Sequence, residues 1–310
     1  MSVFRRPPFG NRPESTDPHA QHPQPDTEGE DLPRPGSPGS VTERMEEQPD
    51  HGEDSYVGTG KLADRVALVT GGDSGIGRAV ALAYAREGAD VVLTYLEAEQ
   101  EDAEQTARLV EDAGRRALLV PGDLTSEDFC QQLVDRTVEE FGRIDILVNN
   151  AAYQMAQPGG IADITTEQFD RVMKTNLYAM FWLCKKSLPH MSRGACIINT
   201  SSVQASSPSP PLLDYATTKA GIANFTRGLA QMVAGDGIRV NSVAPGPIWT
   251  PLIPATMPEE KVESFGEQTP LGRVGQPAEV ATAFVFLASA EASYITGEVL
   301  AVTGGQPVTV

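Results

Sequence analysis

Tyr215 and Lys219 stand four residues apart in Leu213-Asp214-Tyr215-Ala216-Thr217-Thr218-Lys219-Ala220, with Ser201-Ser202 shortly upstream. On a helix that spacing puts both side chains on one face, one turn from each other. A phenol beside an ammonium is expected to titrate below its ordinary range, because the cation favours phenolate. Such a pair can exchange a proton with a carbonyl oxygen or an alcohol. Taken alone, the spacing is also that of any solvated helix face. The rest of the chain must supply a scaffold and a reagent.

A second chemical stretch, Thr70-Gly71-Gly72-Asp73-Ser74-Gly75-Ile76-Gly77, lies between an apolar run of strand length (65–70) and an alanine-rich helix expected over 78–87. Gly71 permits a tight turn, Gly75 a close approach of backbone to a pyrophosphate, and Gly77 close helix–strand packing. The helix start offers free N–H groups to the phosphates.

These residues need elements to hold them. Further strands are expected at 91–95, 117–120, 144–148, 196–200, 238–243 and around 298–302. Helices are expected at 97–113, 126–141, 166–189, from Tyr215 to about 234, and at 277–290. Apolar strands alternating with helices predict an α/β fold with a parallel sheet of about seven strands, buried on both faces. That is a doubly wound, Rossmann-type single domain over 58–310. Residues 1–57 read as a disordered, acidic, Pro-rich tail: ten of the 24 prolines precede residue 50, and no hydrophobic period appears.

Composition narrows the function. A net charge of −18 and a pI near 4.6 argue against a nucleic-acid or membrane partner. Arg5-Arg6 is followed by a Pro-rich stretch instead of an apolar segment, so no export signal is expected. Cys130, Cys184 and Cys196 have unrelated spacing, forming neither a zinc pattern nor a disulfide framework. They suit a reducing, cytoplasmic setting. His19, His22 and His51 precede the domain and only His190 follows, so neither a metal nor a histidine base is expected.

The Thr-Gly-x-x-x-Gly-x-Gly spacing of 70–77, with Asp123, Asn149-Asn150-Ala151, Asn176, Ser202, Tyr215, Lys219 and Pro245-Gly246 following in order, resembles the short-chain dehydrogenase/reductase family over about residues 60–305. Gly71-Gly72-Asp73-Ser74-Gly75, Asn149-Asn150-Ala151-Ala152 and Ala244-Pro245-Gly246-Pro247-Ile248-Trp249-Thr250-Pro251 resemble a subgroup of it. That subgroup contains general-stress oxidoreductases, an aldehyde reductase and glucose/ribitol dehydrogenase homologues. Ala152 departs from the glycine of many members and adds a methyl near the cofactor.

The resemblance implies an NAD(P)(H)-dependent oxidoreductase, working with a small carbonyl or alcohol substrate as a homotetramer or dimer. It makes Tyr215 the general acid in reduction and the base in oxidation. Lys219 lowers the Tyr215 pKa and binds the ribose, Ser202 (or its neighbour Ser201) holds the substrate oxygen, and Asn176 holds a water leading from Lys219 to solvent. Cofactor contacts are implied for Gly71, Asp73, Ser74, Gly75, Ile76, Gly77, Tyr95, Asp123, Leu124, Asn149, Ala151, Pro245, Gly246, Ile248 and Thr250.

Acidic residues after the second strand, Glu97 first, then Glu99 and Asp102, with no basic residue until Arg108, lean toward NAD(H) over NADP(H). Tyr153, Gln154, Gln204, Leu212 and Trp249 are expected to line the substrate pocket. A semi-rigid lid with Pro251, Pro254 and Pro258 is expected over it. The glutamines suit a sugar or polyol; Trp249 and Leu212 suit a small aldehyde or ketone. A non-catalytic, cofactor-sensing stress or interaction protein is the reading from another class. The intact set Asn176, Ser202, Tyr215 and Lys219 argues against it.

Overall fold

Seven strands form one all-parallel sheet in the computed structural model, which describes residues 40–45, 47–256, 262 and 264–308. In chain order come β1 (Val66–Thr70), α1 (Gly75–Arg86), β2 (Asp90–Tyr95), α2 (Gln100–Asp112), β3 (Ala117–Pro121), α3 (Glu127–Phe141) and β4 (Ile146–Asn149). They are followed by α4 (Thr166–Met173), α5 (Ala179–Ser187), β5 (Cys196–Thr200), α6 (Leu213–Val233), β6 (Arg239–Pro245), α7 (Leu252–Thr256), α8 (Pro277–Ala288) and β7 (Val299–Val302). Across the sheet the order is β3-β2-β1-β4-β5-β6-β7. Chain order reverses between β1 and β4, and at such a point the loops leaving the two strands part to leave a crevice at their carboxyl ends.

The strands are largely apolar because both faces of the sheet's centre are covered. Successive side chains alternate: Ala67 and Val69 of β1 pack with α1, Val110 of α2 and Phe284 of α8. Leu68 packs on the other side with Leu133 of α3, Leu183 of α5 and Ile222 of α6. Local signals set the helix ends. Ser126 accepts a bond from the Phe129 N–H at 3.3 Å to start α3, and the helix stops at Gly142. No helix among the described residues is long and apolar enough to cross a membrane.

Three expectations about elements need correction. α1 starts at Gly75, three residues earlier than residue 78, so two of the loop glycines belong to its first turn. The single helix expected over 166–189 is broken by a π-helical turn, Lys174–Tyr178, and ends in a 3₁₀ turn at Leu188–His190. The expected start of order at residue 58 is too late. Residues 1–39 lie outside the described residues, as does Pro258 of the expected lid, but residues 40–45 and 47–57 lie against the domain. There Val41, Met45 and His51 are buried, and the Asp50 carbonyl accepts the Ala278 N–H at 2.9 Å. Composition reads this stretch as polar because its few anchors are scattered. Side chains of the domain satisfy its backbone, which a propensity argument cannot anticipate.

Candidate active site

A cavity of about 960 Å³ opens at the carboxyl ends of the strands, lined by the loops that follow β1 to β6. At one end stands the glycine turn. Gly71, Asp73, Ser74, Gly75 and Ile76 border the cavity; Gly77 does not, being pressed against the turn. A Cβ on Gly77 would fall 1.7 Å from the Gly71 carbonyl oxygen, so only glycine lets α1 approach that closely. Gly75 has φ +49°, and a Cβ there would meet Thr250 Cγ2 at 3.1 Å. Ser74 caps α1 without spending its side chain on the first-turn N–H groups. The turn therefore fits a pyrophosphate: clearance, free donors and the positive end of a helix.

The walls beyond the turn come from Tyr95, Leu96 and Glu99 on one side and Asp123 and Leu124 on another. Glu97, the residue first expected to face the ligand, is exposed and outside the cavity. Glu99, in the tight turn Glu97–Glu99, accepts the Leu96 N–H at 3.1 Å and borders the cavity with Asp73. Burial pushes the Asp73 carboxyl up to about 6, and the Asp102 charge adds to it. Burial, then the charge of Asp73, pushes Glu99 up to about 7.

Folded carboxyls that hold protons the unfolded chain has released make stability fall as pH rises, here from about 4.5 to about 7 for Glu99. Glu99→Gln should therefore raise the thermal midpoint relative to wild type at pH 8 and change it little at pH 4.5. Melting curves across that range check this; an equal shift at both ends would contradict it.

The other end of the cavity holds the residues expected to exchange a proton. Tyr215, Lys219 and Ser202 all line it, Tyr215 and Lys219 from the first two turns of α6. Lys219 Nζ sits 5.3 Å from the Tyr215 ring centroid and donates to the Thr200 carbonyl at 2.7 Å. The expected lowering of the Tyr215 pKa does not appear: burial pushes the phenol up to about 12, with only the nearby Ser202 hydroxyl pulling the other way. The reason lies in the lysine itself. Burial brings Lys219 down to about 7, and its donor is aimed at the strand carbonyl. Of the two serines, Ser201 Oγ donates to the Lys219 carbonyl at 2.9 Å and braces α6. Ser202 lines the cavity beside the phenol.

Asn176 lies in the π turn, buried. Its Oδ1 accepts the Tyr153 N–H at 2.8 Å, and its Nδ2 donates to the Tyr153 carbonyl and to Thr218 Oγ1, both at 3.0 Å. It thus clamps the loop after β4 onto α6, next to Lys219. Beside it a cavity of about 10 Å³, lined also by Asn149 and Thr200, has the size of one water molecule. Both of those residues contribute buried oxygens with no protein partner, Asn149 Oδ1 and Thr200 Oγ1.

Not every expected residue reaches the main cavity. The Asn149 side chain turns inward and donates to Asn199 Oδ1 at 2.8 Å; Asn150 and Ala151 line the cavity instead. Trp249, expected in the substrate pocket, points away from it. Its ring packs among Met45, Ile253, Val262 and Val274, and its Nε1 donates to the Glu47 carbonyl at 2.8 Å. Its neighbours Ile248 and Thr250 face the cavity, as alternation along extended backbone requires. Pro245 and Gly246 line it too, with Tyr153, Gln154, Gln204 and Leu212 toward the Tyr215 end. Gln154 Nε2 is held by Thr256 Oγ1 at 2.7 Å, and Gln204 Oε1 by the Ser209 N–H at 2.6 Å.

Phe265, from the segment expected as a lid, borders the cavity; sequence reasoning did not name Val41, Gln268 and Gln306, which also border it. Nothing local marks them; they arrive from distant segments of the chain.

Comparison with known proteins places this arrangement in a large group. The family model described as enoyl-(acyl carrier protein) reductase matches residues 71–306. The uncharacterized oxidoreductase YghA of Escherichia coli (strain K12) is 54% identical over 271 residues, spanning 87% of this chain and 92% of that protein. A glucose and ribitol dehydrogenase homolog of Oryza sativa subsp. japonica is 49% identical over 276 residues, 84% of this chain and 92% of its own length. A short-chain dehydrogenase from Burkholderia cenocepacia J2315, solved in complex with NADP, superposes with a TM-score of 0.74 at 32% identity, covering 79% of this chain and 99% of that one.

Proposed function

We propose that this chain, which belongs to the short-chain dehydrogenase/reductase family, interconverts an aldehyde or ketone with its alcohol at the Tyr215 end of the cavity. The carrying observation is one continuous cavity with a pyrophosphate-fitting turn at one end and Tyr215, Ser202 and the buried Lys219 together at the other. A nicotinamide dinucleotide, held by the glycine turn, Ile248 and Thr250, would exchange hydride with the carbonyl carbon when bound.

The chain's own residues manage the proton. Ser202 holds the substrate oxygen, and Tyr215 donates to it as negative charge develops there. Lys219, balanced between charged and neutral forms near pH 7, accepts or passes on a proton beside the phenol. Asn176 holds the lysine-bearing helix against the loop after β4.

Glu99 and Asp73 support NAD(H) as the preferred partner, because a ribose 2′-phosphate beside two carboxyls would add like charge where a 2′-hydroxyl finds acceptors. A sugar or polyol is the second reading for the substrate, favoured by the amides of Gln154, Gln204, Gln268 and Gln306 in the cavity wall. Exposed Phe169, Tyr178, Phe181, Leu213 and Met232 on α4 to α6 and the turn between them support assembly with further copies. Three buried free thiols support a cytoplasmic setting.

A spectrophotometric screen tests the proposal: NADH and NADPH oxidation against aldehydes, diketones and sugars, with polyols in the reverse direction. Turnover with at least one carbonyl is expected, with kcat/KM for NADH about tenfold or more above NADPH, some 1.4 kcal/mol. No oxidation with any carbonyl or polyol would sink the reaction; a preference for NADPH would sink only the cofactor assignment.

A further inference from the structure

We propose that residues 40–45 and 47–50 form part of the dinucleotide site, as a strap that walls the cavity near the glycine turn and ties that end to the segment over the catalytic end. The proposal rests on the dinucleotide reading above. Three anchors carry it.

The first is Asp102, at 1% exposure. It accepts Ser40 Oγ at 2.8 Å and the Val41 N–H at 2.7 Å, and takes the Arg78 guanidinium at 3.0 Å. Arg78 Nε in turn donates to the Asp73 carbonyl of the glycine turn at 2.9 Å. Val41, held in this way, contributes to the cavity wall along with Leu96 and Glu99. One carboxylate therefore fixes both the strap and, through Arg78, the backbone of the phosphate-fitting turn.

The second anchor lies four residues on. Met45 is buried with Trp249, Ile253, Val262 and Val274, and the Glu47 carbonyl takes the Trp249 indole N–H. Because Ile248 and Thr250 on either side of Trp249 face the cavity, the strap holds the outer surface of the very segment whose inner surface would touch the ligand. The third anchor is Asp50 at the start of α8, with its N–H on Gln276 Oε1 at 3.0 Å and its carbonyl on the Ala278 N–H.

A segment anchored at separate points can open locally at a cost below that of global unfolding. A ligand that touches Val41, the glycine turn and Thr250 together binds the closed form better than the open one. Binding then closes the strap, and strap closure tightens binding by the same factor.

Wild-type full-length protein provides the test through trypsin cleavage after the exposed Arg44, followed by mass spectrometry, with and without saturating NADH and, in parallel, NADPH. Cleavage after the exposed Lys61 serves as the internal reference. The expected result is at least tenfold slower cleavage after Arg44 with dinucleotide, and a smaller effect at Lys61. Equal slowing at both sites, or none at Arg44 while fluorescence titration reports binding, overturns the strap proposal. Failure of both dinucleotides to bind in that titration overturns the reading beneath it. Met45→Ser in the full chain is expected to raise the dinucleotide dissociation constant severalfold, and an unchanged constant counts against the proposal.

Discussion

Tyr215→Phe lowers turnover of any accepted carbonyl by about a thousandfold, within the range a positioned general acid supplies, and leaves dinucleotide binding and melting temperature near those of wild type. The change removes one oxygen from a ring that is otherwise packed as before. The Ser202 hydroxyl keeps the Gln204 N–H that it accepts at 3.1 Å, so the local turn survives. Because burial holds the Tyr215 phenol near 12, it carries its proton throughout the neutral range and is ready to act in the reducing direction. Oxidation needs the opposite form, so the wild-type rate of alcohol oxidation should climb with pH while that of carbonyl reduction does not. Steady-state kinetics in both directions, with a melting curve and an NADH titration on the same sample, measure all of this. Turnover within threefold of wild type would remove Tyr215 from the reaction.

Arg78→Met is expected to cost about 3–5 kcal/mol of stability, the range for breaking a buried ion pair from one side. In a domain of this size that is roughly a 10 °C fall in melting temperature. Arg78 is 4% exposed, and its guanidinium serves the Asp73 carbonyl, Thr106 Oγ1 at 3.0 Å, and both the carbonyl and carboxylate of Asp102. Methionine fills the space but leaves those acceptors without their donor and Asp102 without its charge partner. Arg78→Lys keeps the charge and loses the fork, so it should fall between. In the double variant Arg78→Met, Asp102→Leu the buried charge is gone as well, and the loss should be smaller than for Arg78→Met alone. Denaturant unfolding of these proteins together with the single variant Asp102→Leu checks this; a double variant at the sum of the two single losses would show that the pair is not coupled.

The alternation of apolar strands with helices made the sheet, its parallel sense and the glycine turn legible in the sequence, because each depends on residues close together in the chain. Tyr215, Lys219 and Ser202 were legible for the same reason. What escaped depends on tertiary context. Asn149 and Asn150 are chemically identical neighbours, and strand pleat alone decides which faces the cavity. Trp249 sits between two cavity residues and points the other way, toward Met45. Glu97 and Glu99 differ only in how the turn Glu97–Glu99 aims them. The titration of Tyr215 went opposite to expectation because a sequence displays the cation and hides the burial that acts on both groups.

The strap also imposes an order on synthesis. Its indole partner lies 202 residues after Glu47, and its Gln276 partner 226 residues after Asp50. At common elongation rates, roughly 10 to 45 seconds separate emergence of Asp50 from emergence of Gln276. Until Trp249 and Ile253 emerge late in that interval, Met45 lacks the apolar surface that it covers, and the nascent chain carries a glycine turn whose outer wall cannot yet close. The first of the described residues to leave the ribosome are thus among the last to find their place.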